Sequence, residues 1–456
     1  MSDNSRNLFG TDGVRGTANV HPMTPEIVLS LGQAAAHVFR TGEKKSHRIL
    51  IGKDTRLSGY MFEDALAAGI SSMGVDVIQV GPIPTPGLAF LTVDMRCDAG
   101  VMITASHNPY QDNGVKFFGR DGFKLADDIE ERIEGLVGSS ELVDARAVPD
   151  ALGRARRIDD AGGRYVVFLK NTFPRASVLD GVKVVLDCAH GAAYKVAPTV
   201  LEELGADVHL VGAEPDGRNI NAGVGSLYPE RIAEKVREVG ADVGVALDGD
   251  ADRVILVDET GRILDGDEVI AMAARALFDR KQLRGGGVVA TVMSNLGLEK
   301  WVENLGLDLV RTPVGDRYVV EAMRRGGYNL GGEQSGHLVF GDLTTTGDGM
   351  ITALQLLGQI VSEGRSLSEL TAGFERFPQV LLNIEVAEKK SFESMPSLQA
   401  AIRDVESSLA GRGRVLIRYS GTESRARVMV EGEQQDQVEA LAEQLADELR
   451  RSVVDS

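Results

Sequence analysis

The sequence predicts an α/β protein with several domains, the last of which is a smaller α+β domain. Its 456 residues exceed the length of a typical single domain several times, so three or four domains are expected. Short apolar runs alternate with segments of helical periodicity, a pattern typical of parallel sheets covered by helices on both faces. The alternation stops after residue 378, where strand-like apolar segments dominate and one amphipathic helix closes the chain.

The N-terminal part follows this alternation closely. Apolar residues recur at helical spacing over residues 25–39 and 60–73 and predict two helices. HRILIGKD (47–54) and VDVIQVGP (75–82) are apolar runs bounded by polar or turn residues, and they predict buried strands.

Three segments share one design, in which a short apolar run ends in Gly, Asp, Ser or His. They are AGVMITASHNP (99–109), GVKVVLDCAHGAAY (181–194) and ADVGVALDGDADR (241–253). Parallel sheets bind ligands beyond the carboxyl ends of their strands, so we expect these polar residues to lie at ligand sites.

These patterns divide the chain into four predicted domains. The charged, Gly-bearing stretch 147–165 is interpreted as a connection into a second α/β unit, a third unit begins near residue 255, and residues 366–377 form a linker. The last domain holds VLLNIEV, a polar helix, GRVLIRYS, RARVMVEG and a closing helix over 437–451. The predicted domains span residues 1–150, 151–254, 255–370 and 371–456.

Composition and charge argue against several functional classes. The formal net charge of −18 disfavours generic nucleic-acid binding, which requires clustered Lys and Arg. An acidic enzyme with anionic substrates must instead gather its basic residues inside a cleft. The sequence has no apolar stretch long enough to span a membrane and no apolar core of a signal peptide. Cys97 and Cys188 lack CxxC spacing, so neither a zinc site nor a disulfide framework is indicated, and a cytoplasmic location is expected.

TASHNPYQDNGVKFF (104–118) is the first segment that carries chemistry. An apolar strand delivers Ser106 into a loop beside His107, and Lys116 follows. A serine hydroxyl is a weak nucleophile until a base or cation activates it, and His107 or Lys116 can assist proton removal or steady the charge on a phosphoryl group. In isolation, a Ser-His pair in a turn is more often a helix cap or a hydrogen-bonded turn.

DGDADR places Asp248, Asp250 and Asp252 at alternate positions of a tight loop directly after a predicted strand. Crowded carboxylates repel one another unless a cation neutralises them, and Mg²⁺ accepts oxygen ligands while leaving room for a phosphate oxygen. The spacing also matches a calcium-binding EF-hand loop with Glu259 as its last ligand. However, Arg253 replaces the required glycine and the flanks resemble strands. Magnesium is favoured over calcium and over a solvated acidic turn.

Two further segments suit a phosphorylated sugar. In GGEQSGH (331–337) a glycine-rich loop presents Glu333, Ser335 and His337 to sugar hydroxyls or to a reacting oxygen. In RYSGTESRAR (418–427) two arginines and short hydroxyl side chains around a glycine have the composition of a phosphate cradle. Each segment alone is equally well explained as a polar turn.

Together and in this order, the segments resemble the α-D-phosphohexomutase superfamily over essentially the whole chain. The matching elements are FGTDGVRG (9–16), TASHNP (104–109), DGDADR (248–253), GEQSGH (332–337) and RYSGTE (418–423). FGTDGVRG, LDCAHGAAY, TPVGDRYV and GGEQSGH are similar to the bacterial phosphoglucosamine mutase branch, and phosphomannomutase/phosphoglucomutase is the nearest alternative. Tyr419, Ser424 and NAGVGSL (221–227) depart from the usual pattern.

The resemblance implies three related α/β domains with mixed, mostly parallel sheets around a central cleft, and a fourth domain that swings over the substrate. It implies interconversion of glucosamine 6-phosphate and glucosamine 1-phosphate through a phosphoserine and a 1,6-bisphosphate intermediate, a step in amino-sugar nucleotide and cell-wall precursor synthesis. It also implies one Mg²⁺ per subunit, glucosamine or glucose 1,6-bisphosphate as activator, and a homodimer. No nucleic-acid or membrane partner is implied.

The resemblance also assigns roles to individual residues. Ser106 would be the phosphoserine, and its phosphate would join Asp248, Asp250 and Asp252 as a magnesium ligand. The residues expected around the transferring group are Arg15, His107, Lys116, Arg253 and His337. The residues expected to hold sugar hydroxyls are Glu333 and Ser335. The residues expected to hold the other phosphate are Arg418, Ser420, Gly421, Thr422 and Arg427.

Two functions of other classes compete with this interpretation. A serine hydrolase would use Ser106, but the residues around it lack the spaced glycines of a GxSxG nucleophile elbow. A non-catalytic sugar-phosphate sensor would keep the loops of Glu333 and Arg418 but would have little use for a serine beside three aspartates.

Overall fold

The computed structural model describes residues 8–10, 12–40, 46–386, 389–419 and 425–454. These residues form four sheets with helices packed against them, and the sheets follow one another along the chain. Within the described ranges, no helix is long and apolar enough to cross a membrane.

The first sheet is mixed, with strand order β1-β2-β6-β5-β3-β4-β7. Its strands are β1 (Phe9–Gly10), β2 (Gly13–Thr17), β3 (Arg48–Lys53), β4 (Asp76–Pro82), β5 (Ala99–Ile103), β6 (Asp112–Gly119) and β7 (Ala155–Arg157). The helices of this part are α1 (Pro25–Phe39), α2 (Ser58–Ser72), α3 (Thr85–Asp94), α4 (Asp127–Leu136), α5 (Ser140–Asp144) and a 3₁₀ turn (Pro149–Ala151).

Helices α1 and α2 show why the predicted pair forms. Thr24 caps α1 by accepting a hydrogen bond from the Ile27 backbone, and proline occupies the first helical position. The two helices pack so closely that a Cβ at Gly69 would lie 2.2 Å from the carbonyl oxygen of Leu29. Both predicted helices are therefore confirmed, and the second begins two residues earlier, at Ser58, than its apolar pattern indicates.

The second and third sheets are mixed as well, with orders β12-β11-β10-β8-β9 and β14-β13-β15-β16. The strands are β8 (Lys183–Asp187), β9 (Asp207–Val211), β10 (Val243–Leu247), β11 (Val254–Asp258), β12 (Ile263–Leu264), β13 (Gly287–Thr291), β14 (Asp308–Thr312), β15 (Leu330–Gly332) and β16 (Leu338–Phe340). The helices are α6 (Ala161–Thr172), α7 (Val196–Glu203), α8 (Pro229–Val239), α9 (Gly266–Asp279), α10 (Leu296–Asn304), α11 (Asp316–Gly326), α12 (Gly349–Glu363) and α13 (Leu367–Leu370).

One topology recurs in these three sheets. A central strand (β3, β8 or β13) runs parallel to its two neighbours, and the third strand (β5, β10 or β15) returns as an antiparallel hairpin into β6, β11 or β16. This repetition confirms the expectation of three related α/β domains with mixed sheets.

The C-terminal part is a small antiparallel sheet with order β17-β19-β18, packed against two helices. Its elements are β17 (Gln379–Glu385), a 3₁₀ turn (Phe392–Ser394), α14 (Pro396–Leu409), β18 (Gly413–Tyr419), β19 (Arg425–Gly432) and α15 (Gln435–Val454). It has its own apolar core, in which residues such as Val428 and Leu445 are completely buried. The predicted α+β domain is confirmed.

The sheets extend across two of the expected domain boundaries. β7 pairs with β4 although it lies after residue 150. β11 begins at Val254, the last residue of the expected second domain, and continues beyond it, and β12 belongs to the same sheet although it lies wholly after residue 254. We therefore propose to move these boundaries to the residues after Arg157 and Leu264. A single apolar core runs from β3 through α6 to α12, so the first three domains pack against one another.

Candidate active site

Three of the four predicted site loops lie at equivalent places in the fold. Each forms the turn of an antiparallel hairpin: β5 to β6, β10 to β11, and β15 to β16. The fourth connects β18 to β19. The repeated topology therefore explains why chemistry-bearing residues follow one apolar run in each domain.

Ser106 occupies a strained and buried position in the first of these loops. Its backbone has φ +50°, the left-handed region that few non-glycine residues adopt. Its Oγ donates a 2.6 Å hydrogen bond to Oδ2 of Asp248 and lies 3.3 Å from Nδ1 of His107. The structure thus brings the predicted nucleophile into contact with the predicted metal loop.

Asp248, Asp250 and Asp252 form a buried cluster whose ligand oxygens all lie within 4.8 Å of one another. Among the described residues, one oxygen each of Asp250 and Asp252 is buried without a hydrogen-bond partner. Burial, together with the neighbouring charges of Asp252 and Asp250, raises the pKa of Asp248 well above its ordinary value. Carboxylate oxygens held this closely and incompletely hydrogen-bonded fit a hard divalent cation such as Mg²⁺.

The backbone around this cluster excludes an EF-hand. The flanking segments are β10 and β11, which pair antiparallel, whereas an EF-hand requires a helix on each side. Glu259 instead accepts hydrogen bonds from the backbone N–H and the hydroxyl of Ser368.

Thr85, at the start of α3, donates its hydroxyl to Oδ2 of Asp250 at 2.7 Å and its N–H to the Asp250 carbonyl at 2.9 Å.

Lys116 is a buried ammonium surrounded by carboxylates. Its Nζ lies 3.1 Å from Oδ2 of Asp12, 3.1 Å from Oδ2 of Asp250 and 3.6 Å from Oδ2 of Asp252. Burial opposes its charge, but the three carboxylates outweigh burial and raise the pKa of Lys116. Of its two predicted roles, we therefore propose charge stabilisation for Lys116, because an ammonium group held protonated is a poor proton acceptor.

His107 lies between Ser106 and Arg253 in a chain of side-chain contacts. Nη1 of Arg253 is 3.2 Å from Nδ1 of His107. Burial and the positive charges of Arg253 and Arg15 lower the pKa of His107 to about 4, so this imidazole is neutral at physiological pH. Burial opposes the charge of Arg253, but Asp252 and Asp248 keep it protonated by raising its pKa. Arg15 stands on β2, and its guanidinium pairs with Asp12.

The third loop joins the same cluster. Nδ1 of His337 lies 3.6 Å from Oδ2 of Asp252, and its Nε2 accepts a 3.0 Å hydrogen bond from the Gly347 backbone. One oxygen of Glu333 accepts a 3.0 Å hydrogen bond from the Gly315 N–H, and Ser335 lies 3.4 Å from the other oxygen. These contacts orient the two predicted sugar-binding side chains.

A partly buried ion-pair network, which was not predicted from the sequence, links the first and third domains. Lys124 bridges Asp12 and Asp316, with a distance of 2.5 Å to Oδ2 of Asp316. Burial of Asp12 opposes ionisation, but Lys116, Lys124 and Arg15 hold its pKa well below the ordinary value. Asp12 lies in FGTDGVRG and Asp316 lies in TPVGDRYV, and both motifs carried the family resemblance. Membership in these motifs was the one feature of the sequence that could have indicated a role for the two aspartates.

Arg418 and Arg427 of the fourth domain are direct neighbours across the pairing of β18 and β19. Burial and the positive charge of Arg427 lower the pKa of Arg418. Nε of Arg418 is buried and has no hydrogen-bond partner among the described residues. Two adjacent guanidinium groups favour an anion between them. The other predicted members of this loop, Ser420, Gly421 and Thr422, lie outside the described residues.

Comparison with family models identifies all four parts of one architecture. Their descriptions are phosphoglucomutase/phosphomannomutase alpha/beta/alpha domains I, II and III and the C-terminal domain of the same enzymes. They match residues 6–143, 163–261, 265–377 and 381–448, respectively.

Relatives and solved structures agree with these models. The phosphoglucosamine mutase of Syntrophotalea carbinolica is 58% identical over 446 residues, which cover 98% of each chain. A phosphoglucomutase/phosphomannomutase family protein from Burkholderia thailandensis has the same fold, with a TM-score of 0.80, 22% identity and 97% of each chain covered.

A third protein, N-acetylphosphoglucosamine mutase from Aspergillus fumigatus, was solved in complex with GlcNAc-6P and magnesium. It matches with a TM-score of 0.69 and 20% identity over 98% of this chain and 96% of its own, so it is similar in fold. The near-complete coverage at 58% identity decides the assignment. The chain belongs to the phosphoglucosamine mutase family of the α-D-phosphohexomutases.

Proposed function

We propose that this chain interconverts glucosamine 6-phosphate and glucosamine 1-phosphate by passing a phosphoryl group through Ser106. The observation that carries this proposal is the 2.6 Å contact between Ser106 Oγ and Asp248, inside a buried cluster of three aspartates. A sugar-phosphate sensor has no use for a strained, buried serine in that position, and the proposal therefore favours an enzyme.

In the first half of the reaction, phosphorylated Ser106 transfers its phosphoryl group to the C1 hydroxyl of glucosamine 6-phosphate. The bond between phosphorus and Ser106 Oγ breaks, a bond to the sugar O1 forms, and the hydroxyl proton of the sugar ends on Ser106. The product is glucosamine 1,6-bisphosphate. Lys116, which contacts Asp250, and Arg253, which contacts His107, are fixed cations of this cluster, and they stabilise the charge on the transferring group.

In the second half, the bisphosphate turns around and presents its 6-phosphate to Ser106. The bond between phosphorus and O6 breaks, the bond to Ser106 Oγ forms, and the serine proton passes to O6, which releases glucosamine 1-phosphate. Two acceptors lie near that proton: Oδ2 of Asp248 at 2.6 Å and the neutral Nδ1 of His107 at 3.3 Å.

Asp248, Asp250 and Asp252 would hold Mg²⁺, with the phosphate of Ser106 as a further ligand. When bound, the ion neutralises negative charge on the phosphoryl oxygens. Lys116 contacts two of these carboxylates directly and Thr85 contacts one, so both side chains fix the orientation of the donor oxygens.

The remaining loops would bind the rest of the substrate. Glu333 and Ser335 pair with sugar hydroxyls, and the Arg418 and Arg427 guanidinium groups hold the phosphate that is not reacting, together with Ser420, Gly421 and Thr422. Because the bisphosphate must bind in two orientations, this phosphate site has to accept either end of the molecule. A mobile fourth domain would permit the exchange and exclude water from the phosphoserine.

We also propose a cytoplasmic homodimer that is activated by glucosamine or glucose 1,6-bisphosphate. Both cysteines, Cys97 and Cys188, are buried as thiols, which agrees with a reducing compartment. The amino-sugar branch is supported by the relatives' names, and phosphomannomutase/phosphoglucomutase activity is the alternative.

The test is a substrate series. The protein is assayed on glucosamine, mannose and glucose 6-phosphates with Mg²⁺ and a trace of the matching 1,6-bisphosphate. We expect kcat/KM to be highest for glucosamine 6-phosphate and to vanish after chelation of Mg²⁺. Preference for mannose or glucose would contradict the amino-sugar assignment, and absence of turnover on every sugar would contradict the enzyme.

A further inference from the structure

Arg56 is a completely buried arginine that binds the backbone of the phosphoserine loop. Its Nη1 and Nη2 groups donate to four carbonyl oxygens of that loop, and Nε donates to Oδ2 of Asp54 at 2.8 Å. The four carbonyls are those of Ser106 (2.8 Å), Asn108 (2.8 Å), Asp112 (3.0 Å) and Pro109. All five N–H donors of the guanidinium are therefore used.

Asn221 binds the same loop from the second domain. Its Nδ2 donates to the carbonyl oxygen of Ser106 at 2.8 Å and to that of Asn108 at 3.1 Å. Each of these two carbonyls therefore accepts one hydrogen bond from Arg56 and one from Asn221. The Ser106 peptide is fixed from two domains at once.

The metal loop approaches the same carbonyl. A Cβ at Gly249 would lie 2.6 Å from the Ser106 carbonyl oxygen and 2.8 Å from Nδ2 of Asn221, so this approach requires glycine. On the other side, the Ser106 N–H donates to Oγ1 of Thr104 at 2.9 Å, and Thr104 donates to Asp54 at 2.7 Å. Both polar groups of the Ser106 backbone are thus committed to fixed partners.

These contacts explain how a serine is kept at φ +50°. A left-handed conformation of a non-glycine residue persists only where its surroundings determine it, and here they do so through the carbonyl. Lysine could not replace Arg56, because an ammonium group has three donors and lacks the planar fork that reaches four carbonyls. A structural role in the core alone would not direct so many donors to one loop.

We infer that Arg56 and Asn221 are positioning residues for phosphoryl transfer, which hold the loop so that Ser106 Oγ points at the three aspartates. The inference rests on the proposed function of Ser106. Neither side chain contacts the reacting oxygen, since both act through the backbone of the loop.

The main test is Asn221→Ala, because this residue lies in a different domain from the serine and reaches its loop through the hydrogen bonds of one side-chain amide. Urea unfolding of the variant checks that it is folded. We expect kcat to fall by about 10- to 100-fold, the range for a reacting group misplaced by about 1 Å, while KM for the sugar phosphate stays close to native. Arg56→Lys should show the same division between kcat and KM. Glu63→Gln is the matched control, because it disturbs the buried Lys53–Glu63 pair of the first domain without touching the loop.

A spectroscopic readout separates positioning from stability. In the phosphorylated protein without Mg²⁺, the ³¹P resonance of phosphoserine should shift or broaden in Asn221→Ala and stay unchanged in Glu63→Gln. If Asn221→Ala keeps native kcat and a native ³¹P signal while the native enzyme is active, the inference is wrong and the proposed function stands. If the native enzyme turns over no hexose phosphate, both are overturned.

Discussion

Replacing Lys116 by methionine should destabilise the protein and at the same time strengthen its response to magnesium. The ammonium is almost completely buried and contacts Asp12, Asp250 and Asp252 within 3.6 Å. Methionine fills a similar volume without the charge, so the buried carboxylates of Asp250 and Asp252 and the partly buried carboxylate of Asp12 lose their common cation.

The magnitude follows from the burial of the cluster. Removing one partner of a buried ion pair costs about 3–5 kcal/mol, and with three partners we expect a loss near 5 kcal/mol in the free energy of unfolding without metal. The cluster also becomes more negative by one charge, so it should bind a divalent cation more tightly. A tenfold gain in affinity adds about 1.4 kcal/mol of stability at saturating Mg²⁺.

The assay is urea unfolding of native protein and variant, each in EDTA and in excess Mg²⁺. Lys53→Met is the matched control, since Lys53 is also buried in the first sheet but pairs with Glu63, away from the aspartates. We expect both variants to be less stable than native in EDTA, and only Lys116→Met to gain more from Mg²⁺ than native. An equal Mg²⁺ response in all three proteins would refute the proposed metal cluster.

Three further predictions concern Asp348, a buried aspartate that caps the N-terminus of α12, and two residues of the site. Burial raises the pKa of Asp348 to about 6. Between about pH 4 and 6 the folded state therefore binds more protons than the unfolded state, and the free energy of unfolding falls as the pH rises through that window. Asp348→Asn should remove this fall, so the free energy of unfolding of the variant relative to native protein should gain up to about 3 kcal/mol between pH 4 and pH 7. Urea unfolding measures this difference, and parallel curves of stability against pH for the two proteins would contradict the prediction. Because the pKa of His107 is lowered to about 4, His107→Gln should lower kcat without removing any inflection near pH 6.5 from the pH-rate profile. Loss of such an inflection in the variant would contradict the neutral state of His107. Arg418→Met should raise KM for glucosamine 6-phosphate by about 10- to 100-fold, as expected for lost charge-assisted hydrogen bonds, and an unchanged KM would exclude Arg418 from the phosphate site.

The local patterns of the sequence predicted the α/β units and the C-terminal α+β domain, whereas the relation among the first three domains and the roles of the loop residues came from the family resemblance. The runs before the phosphoserine and metal loops form β5 and β10, the strands that turn back as antiparallel hairpins. The third run of the same design, 181–194, contains the central strand β8 of the second sheet and does not lead into such a hairpin. The strand prediction on both sides of Asp248 also excluded the EF-hand correctly, because β10 and β11 pair antiparallel.

Features that depend on distant contacts were not predictable from these patterns. Strand β7 belongs to the first sheet because it pairs with β4, and nothing in its short polar sequence indicates that partner. Thr85 and Asn221 contact the site from elements whose own periodicity is unremarkable, so only the fold brings them to Asp250 and Ser106.

Arg56 illustrates the same limit for a charged side chain. Charged residues are usually exposed, and the sequence around Arg56 gives no sign that it is buried with every donor satisfied. The carbonyls that receive these donors lie about fifty positions away along the chain, since the hydrogen bond to Ser106 has a sequence separation of 50.

The central claim is that Ser106 carries the phosphoryl group, and intact-protein mass spectrometry after incubation with glucose 1,6-bisphosphate and Mg²⁺ tests it most directly. We expect native protein to gain one phosphoryl group that peptide mapping locates at Ser106, and we expect Ser106→Ala to gain none and to lose mutase turnover while its unfolding curve stays native. Phosphate on another residue, or full turnover by Ser106→Ala, would contradict the account.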